Sequence, residues 1–274
     1  MDENIAQFVG SIPDFYERGM GPVIFADFAA DMAQRVKALN PKLVVETAAG
    51  TGILTRAMRD VLPGRTKIIA TDLNPPMLEV AKRKFARGEP VVLQPANAMN
   101  LGFDDECCDL VVCQFGLMFY PDKEASHREI FRVLEDGGHY LVSVWDSHAF
   151  NPFGEVIHSV AGSFFPDDPP QFYAVPFSYS ALDPIKDGLM AAGFSSVEVS
   201  VKRIEKVVAD PALFARGTVF GNPMYDQIVA RKGDPEAVAA AILDELKARF
   251  GDDPMVLQLQ EIVFTARKVA VPRV

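Results

Sequence analysis

Cysteine is scarce. The chain has three in 274 residues, Cys107, Cys108 and Cys113. Two are adjacent, and none stands at zinc spacing with a histidine partner. Neither a disulfide framework nor a metal knuckle is indicated, and a reducing cytoplasm is the expected compartment. Histidine is almost as rare: His127, His139, His148 and His158 are the four. They form no Ser/His/Asp order and no His/Cys cluster, so no metal is expected and no catalytic base is named. His148 is the one placed to take a proton, and a surface loop is its simpler reading. No stretch of 18 apolar residues exists, and the N-terminus lacks a basic-then-apolar leader, so neither a membrane nor a secretion route is expected. Positive charge is in deficit, 27 Lys+Arg against 37 Asp+Glu, a net of −10. Without a long basic run such a surface repels duplex nucleic acid, and no nucleic-acid partner is expected.

What is present is apolar and patterned. Hydrophobic residues make up 49% of the chain, enough for one large domain or one domain with an inserted cap. The chain is organised around Val44-Val45-Glu46-Thr47-Ala48-Ala49-Gly50-Thr51-Gly52. An apolar β-branched run precedes Glu46. Apolar residues at helical spacing follow Gly52, from Ile53 to Leu62. This pattern predicts a buried strand, a small-residue turn and a helix. Small residues let a ligand approach the backbone, and a helix start offers N–H groups to it. Lys67 to Asp72 is a second buried run ending in a carboxylate, 20 positions past Gly52 (72 − 52). That is where nucleotide folds hold ribose hydroxyls, so a nucleoside-type cofactor is expected with Asp72 as its ribose acceptor.

The type of nucleoside follows from two residues. A nicotinamide fingerprint needs a small residue where this chain has Thr55. Glu46, at the tip of the first strand, would repel a pyrophosphate but attract an ammonium and a sulfonium. S-adenosyl-L-methionine is therefore the expected cofactor. An NAD(P)-dependent oxidoreductase is the alternative, and a non-catalytic S-adenosylmethionine-binding protein stays open.

With these residues in hand, Leu43 to about Asp146 resembles the class I S-adenosylmethionine-dependent methyltransferases, in particular their quinone-biosynthesis-like small-molecule group. Motif I is Val44 to Gly52, motif II Ala70-Thr71-Asp72-Leu73-Asn74, motif III Gln94-Pro95-Ala96-Asn97-Ala98-Met99, and motif IV Cys108 to Phe115. Arg128 to Gly138 matches the family's helix-to-strand turn. Glu46 replaces the commoner Asp, Ala48 the first Gly, and Asn97 a common Asp. An Asn carbonyl still accepts a hydrogen bond from an adenine amino group. The resemblance implies an α/β fold: a doubly wound, Rossmann-like, seven-stranded, mostly parallel sheet with an antiparallel last strand, plus a helical and aromatic cap. It implies cofactor contacts from Glu46, Ala48, Gly50, Thr51 and Gly52, with Leu73 and Met77 flanking adenine beside Asn97, Ala98 and Met99. Gln114 and Phe115 are implied to lie beside the cofactor and the incoming acceptor. Tyr16, Met20 and Phe25 are implied to fold over the cofactor's methionine end as a lid.

Along the chain, residues 1–40 are expected as lid helices, 41–146 as the cofactor-binding core and 147–181 as a cap insert rich in aromatics and proline. Residues 182–274 are expected to complete the core, with a helical insert at 210–255. Prolines argue against long regular structure between His148 and Tyr179. Asp183-Pro184, Asp210-Pro211 and Asp234-Pro235 each read as a helix start. Pro75-Pro76 opens a helix over Met77 to Arg87, and Gly137-Gly138 reads as a turn before a strand from His139 to Trp145. Trp145, Phe164 and Tyr173 are the expected substrate-binding residues. The expected activity is methyl transfer to an O, C or N atom of a small, apolar or aromatic metabolite, with homodimerisation left open.

Overall fold

The computed structural model describes residues 6–269. The first five residues of the expected lid segment and the last five of the C-terminal part lie outside the described residues. Seven strands form one sheet in the order β3-β2-β1-β4-β5-β7-β6. They are β1 Leu43–Glu46, β2 Lys67–Asp72, β3 Val91–Pro95, β4 Cys108–Gln114, β5 Leu134–Trp145, β6 Ser196–Val208 and β7 Met255–Arg267. Pairing is parallel from β3 through β5, with Val44 opposite both Ile68 and Leu110. The last strand, β7, runs antiparallel, as its bonds show: Gly138 pairs with Lys268 and Asp146 with Gln260. β1 is flanked by β2 on one side and β4 on the other, so strand order reverses at its tip. Open α/β sheets hold ligands at such a point.

The described chain divides into two compact units. One comprises Ala29–Val144, Ala181–Val201 and the described part of Ile262–Val274. It contains β1 to β4 and the helices that follow them: α3 Ile53–Val61, α4 Pro75–Lys82 and α5 Lys123–Val133, with α7 Leu182–Ala191 later in the chain. Side chains alternate across a strand, so Val44, Ile68, Leu110 and Val112 share one face. They pack with Leu54, Met58 and Leu62, and with Ala29, Met32, Ala33 and Val36 of α2 (Ala26–Ala38). Every member of this cluster is buried, which is why the amphipathic pattern of α2 and α3 was readable as helix.

The other unit comprises the described part of Met1–Phe28, Trp145–Ser180 and Lys202–Glu261. It is mainly helical: a short α1 (Ile12–Phe15) running into a π-helix (Tyr16–Phe25), then α6 Pro152–Ser163, α8 Pro211–Phe220, α9 Met224–Ala230 and α10 Pro235–Phe250. Gly19 and Gly217 let the π-helix meet α8 backbone to backbone; a Cβ on Gly19 would lie 2.7 Å from the Gly217 Cα. Trp145 is buried among Phe25, Phe28, Phe153 and Phe177, with ring centroids 5.5 to 6.2 Å away.

Several sequence expectations change. The stretch after Trp145 contains a 12-residue helix, α6. Pro152 occupies its first position, where proline is tolerated, and the other prolines all follow it. Gly137 and Gly138 lie within β5, which starts at Leu134. They form an irregularity opposite Cys108 to Leu110, with Gly137 at φ +86°. α4 stops at Lys82 rather than Arg87. Asp183 sits inside the first turn of α7, whose N-cap is Ala181. Asp210 and Asp234 do cap their helices, accepting from the N–H groups of Leu213 and Glu236 at 2.9 Å. α9 was not anticipated, being seven residues without a clear start signal.

Truncating Leu110 to Ala removes a side chain from the packed face of β4. The expected loss is about 2–5 kcal/mol, read as a lower urea midpoint with an unchanged m value.

Candidate functional site

The segment between β1 and α3 is held in an alternating backbone path. Ala48, Gly50 and Gly52 take φ of +52°, +57° and +75°. Glycine adopts this region freely, whereas alanine does so at a cost of about 1 kcal/mol or more. The path is pinned from both sides. Thr47 N–H donates to the Val112 carbonyl and Ala49 N–H to the Thr71 carbonyl, both at 2.9 Å. Gly52 faces Ala81 of α4, where a Cβ would come within 2.9 Å of the Ala81 Cβ. The Met77 methyl lies 3.4 Å from where a Gly50 Cβ would stand.

Two carboxylates stand at neighbouring strand tips, both almost fully buried. Asp72 accepts from Gly50 N–H at 2.8 Å through one oxygen and from Asn74 N–H at 2.8 Å through the other. Glu46 accepts from the Thr55 hydroxyl at 2.6 Å. Thr55 is thus the acid's hydrogen-bond donor, at the position where a nicotinamide fingerprint needs a small packing residue. Burial pushes the Glu46 carboxyl up to about 8, the neighbouring Asp72 adds to this, and Thr55 opposes it. Burial also raises Asp72, against the two backbone N–H donors.

The tips of β3 and β4 supply the remaining expected residues. Asn97 is exposed, and its Oδ1 accepts from Met99 N–H at 2.9 Å, closing a tight turn that buries Ala98. Leu73, just past Asp72, is 59% exposed, an unusual setting for leucine. Gln114 Nε2 and the Thr51 hydroxyl are buried without a hydrogen-bond partner. Leaving such groups unpaired costs about 1–3 kcal/mol each, so a partner from water or from a ligand would stabilise them. Phe115 is buried and left-handed at φ +55°.

The structure therefore brings Glu46, Ala48, Gly50, Thr51, Gly52, Asp72, Leu73, Met77, Asn97, Ala98, Met99, Gln114 and Phe115 onto the carboxyl ends of β1 to β4 within one unit. Tyr16 and Phe25 belong to the other unit, stacked on one another at 4.9 Å. Trp145, Phe164 and Tyr173 belong to that unit as well. The Tyr173 hydroxyl is buried and donates to the Thr218 carbonyl at 3.1 Å, and Phe164 is 42% exposed. Sequence reasoning missed Thr55 and Tyr120 in the first unit. Thr55 was readable in principle, since it falls one helical turn after the loop. No helix among the described residues is long and apolar enough to cross a membrane. Among the same residues, no group of three or more His, Cys, Asp or Glu is placed to hold a metal.

The suppressed acidity of Glu46 fixes a pH dependence. The unfolded chain ionises this carboxyl near 4.5, while the folded chain keeps it protonated up to about 8. Its contribution to stability is whole below pH 4.5 and is lost as pH rises through 8, at up to about 1.4 kcal/mol per pH unit. Ligand-free protein unfolded chemically between pH 5 and 8 is expected to lose stability with rising pH more steeply than its Glu46→Gln variant.

Comparisons with known proteins agree with this geometry. A family described as "Methyltransferase domain" matches residues 45–142. A demethylmenaquinone methyltransferase of Thermus thermophilus is 35% identical over 136 residues, covering 47% of this chain and 61% of the relative. The ubiquinone/menaquinone biosynthesis C-methyltransferase of Cronobacter sakazakii is 32% identical over 127 residues, 45% of this chain and 50% of its own length. The chain thus spans half to three-fifths of these two curated relatives. An uncharacterised protein of Mycobacterium tuberculosis is 30% identical over 262 residues, 91% of this chain and 86% of that one. Among solved structures, the YcgJ protein of Bacillus subtilis superposes with a TM-score of 0.59 at 20% identity, over 89% of this chain and all of that one (100%), which supports the fold. On the family match, residues 45–142 form a methyltransferase domain, and over most of its length the chain is of one family with the Mycobacterium tuberculosis protein.

Proposed function

We propose that this protein transfers a methyl group from S-adenosyl-L-methionine to an O, C or N atom of a small, apolar or aromatic metabolite. The observation that carries the reading is the pairing of unsatisfied polar groups with two buried acids around a left-handed, small-residue loop. Thr51 and Gln114 lack partners, and Glu46 and Asp72 are buried at adjacent strand tips. That donor set fits a ligand bearing a cation at one end and hydroxyls at the other. A pyrophosphate would bring no cation to offset the ionisation of the buried Glu46.

When bound, the cofactor supplies a methyl group already activated on a sulfonium. The chain's own residues bind and orient. Asp72 uses its remaining lone pairs for ribose hydroxyls while its backbone donors keep it fixed. Glu46 takes the charge of the amino-acid end, losing its proton as it does so. Gly50 and Gly52 let the backbone come close, and Leu73 and Met77 flank the base. Asn97 offers a carbonyl lone pair and Ala98 a backbone N–H to the base edge. Gln114 and Phe115 line the side on which the acceptor arrives. Methyl transfer is an in-line displacement, so holding the nucleophile near the methyl carbon and excluding water is the main task. No residue is assigned as base. The relatives' quinone precursors are the first acceptors to try.

A thermal-shift comparison is the first test. S-adenosylmethionine should raise the melting temperature and NAD and NADP should not; the reverse result would overturn the reading. Asp72→Ala should weaken cofactor binding roughly tenfold or more by calorimetry, the scale of a charge-assisted hydrogen bond left unmade. Incubation with methyl-labelled cofactor and a panel of quinol precursors and phenols should yield labelled product. In that assay Phe164→Ala should alter turnover and leave cofactor affinity unchanged.

A further inference from the structure

Two non-glycine residues of the site hold a left-handed backbone, Ala48 after β1 and Phe115 after β4. Each costs about 1–2 kcal/mol in isolation and persists only where surrounding structure over-determines it. The surroundings converge on one side chain, Tyr120. Its hydroxyl donates to Thr47 Oγ1 at 3.2 Å and lies 3.4 Å from Cys113 Sγ. Thr47 directly precedes Ala48, and Cys113 directly precedes Gln114. Gly116 fills the space between: a Cβ there would lie 2.4 Å from the Ala48 Cβ, 2.9 Å from Cys113 Sγ and 3.3 Å from the Tyr120 hydroxyl. The two turns touch with no room for a side chain.

Tyr120 is itself firmly placed. A short 3-10 turn, Leu117–Phe119, ends at it, with Phe119 N–H bonded to the Gly116 carbonyl and Tyr120 N–H to the Leu117 carbonyl. Its own carbonyl accepts from Lys123 Nζ at 3.0 Å. Asp122 then caps α5 through Ala125 N–H at 2.8 Å. The phenol is therefore delivered to Thr47 by a short, rigid piece of chain.

We propose that Tyr120 is a positioning residue of the cofactor site: its hydrogen bond to Thr47 locks the turn after β1 to the turn after β4. The clamp thereby fixes Ala48, Gln114 and Phe115 in the arrangement that meets the cofactor. This rests on the methyltransferase reading above and adds a residue assigned to act through another side chain. The phenol acts through Thr47.

A double-mutant cycle on binding tests it. Tyr120→Phe removes only the hydroxyl, and Thr47→Val removes only its acceptor. Calorimetry with S-adenosylmethionine and with S-adenosylhomocysteine should show affinity falling about fivefold in each single variant, the scale of one buried hydrogen bond. The double variant should lose no more than either single one, and Thr47→Ser should restore wild-type affinity. Circular dichroism of each variant confirms that the comparison is made on folded protein. If wild-type protein binds and Tyr120→Phe binds equally well, or the two losses add, the clamp is overturned while the methyltransferase reading stands. If wild-type protein takes up neither compound, both are overturned.

Discussion

Two backbone N–H groups, from Gly50 and Asn74, converge on the buried Asp72 carboxylate. Each bond is charge-assisted and worth about 1.5–3 kcal/mol. The first ties the loop after β1 to the tip of β2. The second ties the chain's departure toward α4 to the same point. An acid with this little solvent around it is stable only because both oxygens are occupied. Without it, the buried Gly50 N–H would lose its acceptor, and the loop would be held to β2 by the bond from Ala49 N–H to the Thr71 carbonyl. The backbone path of the candidate site thus leans on one ionisable side chain at a strand end.

The two acids of the site are buried for different ends. Asp72 has its donors built in. Glu46 has only the Thr55 hydroxyl, and its acidity is correspondingly suppressed. A carboxyl kept protonated in the free protein is a place where a cation brings its own compensation. The orphaned Thr51 and Gln114 follow the same logic. Free energy is withheld from the ligand-free state at the positions where a ligand can supply it, as expected of a preorganised site.

Much of this was legible before any coordinate. β2 runs from Lys67 to Asp72 as its apolar run indicated, and α3 and α10 begin where Ile53 and Asp234-Pro235 placed them. These are local signals: a β-branched run, a periodic apolar face, a capping carboxylate. Failures came where a local signal had more than one outcome. Gly137-Gly138 resembles a turn, yet β5 absorbs it as an irregularity because β4 and β7 supply hydrogen-bond partners on either side. Asp183-Pro184 marks the start of α7 correctly, which runs from Leu182 as expected, yet Asp183 lies in the first turn and does not cap it. Asn97, read as an acceptor for a ligand, gives one lone pair of its carbonyl to the Met99 N–H and keeps the other.

Local stretches of chain were enough for the strands, the small-residue loop and the two acids that flank it, because each depends on residues adjacent or nearly adjacent, but not for α6 or α9. Only tertiary structure decided that Asp72 would grip Gly50, that Thr55 would turn back to Glu46, and that Tyr120 would reach Thr47 across 73 positions. Those contacts exist because parallel strands bring their carboxyl ends side by side. The spacing between strands, and hence which side chains meet there, is set by the packing of the whole sheet and is written in no single stretch of the chain.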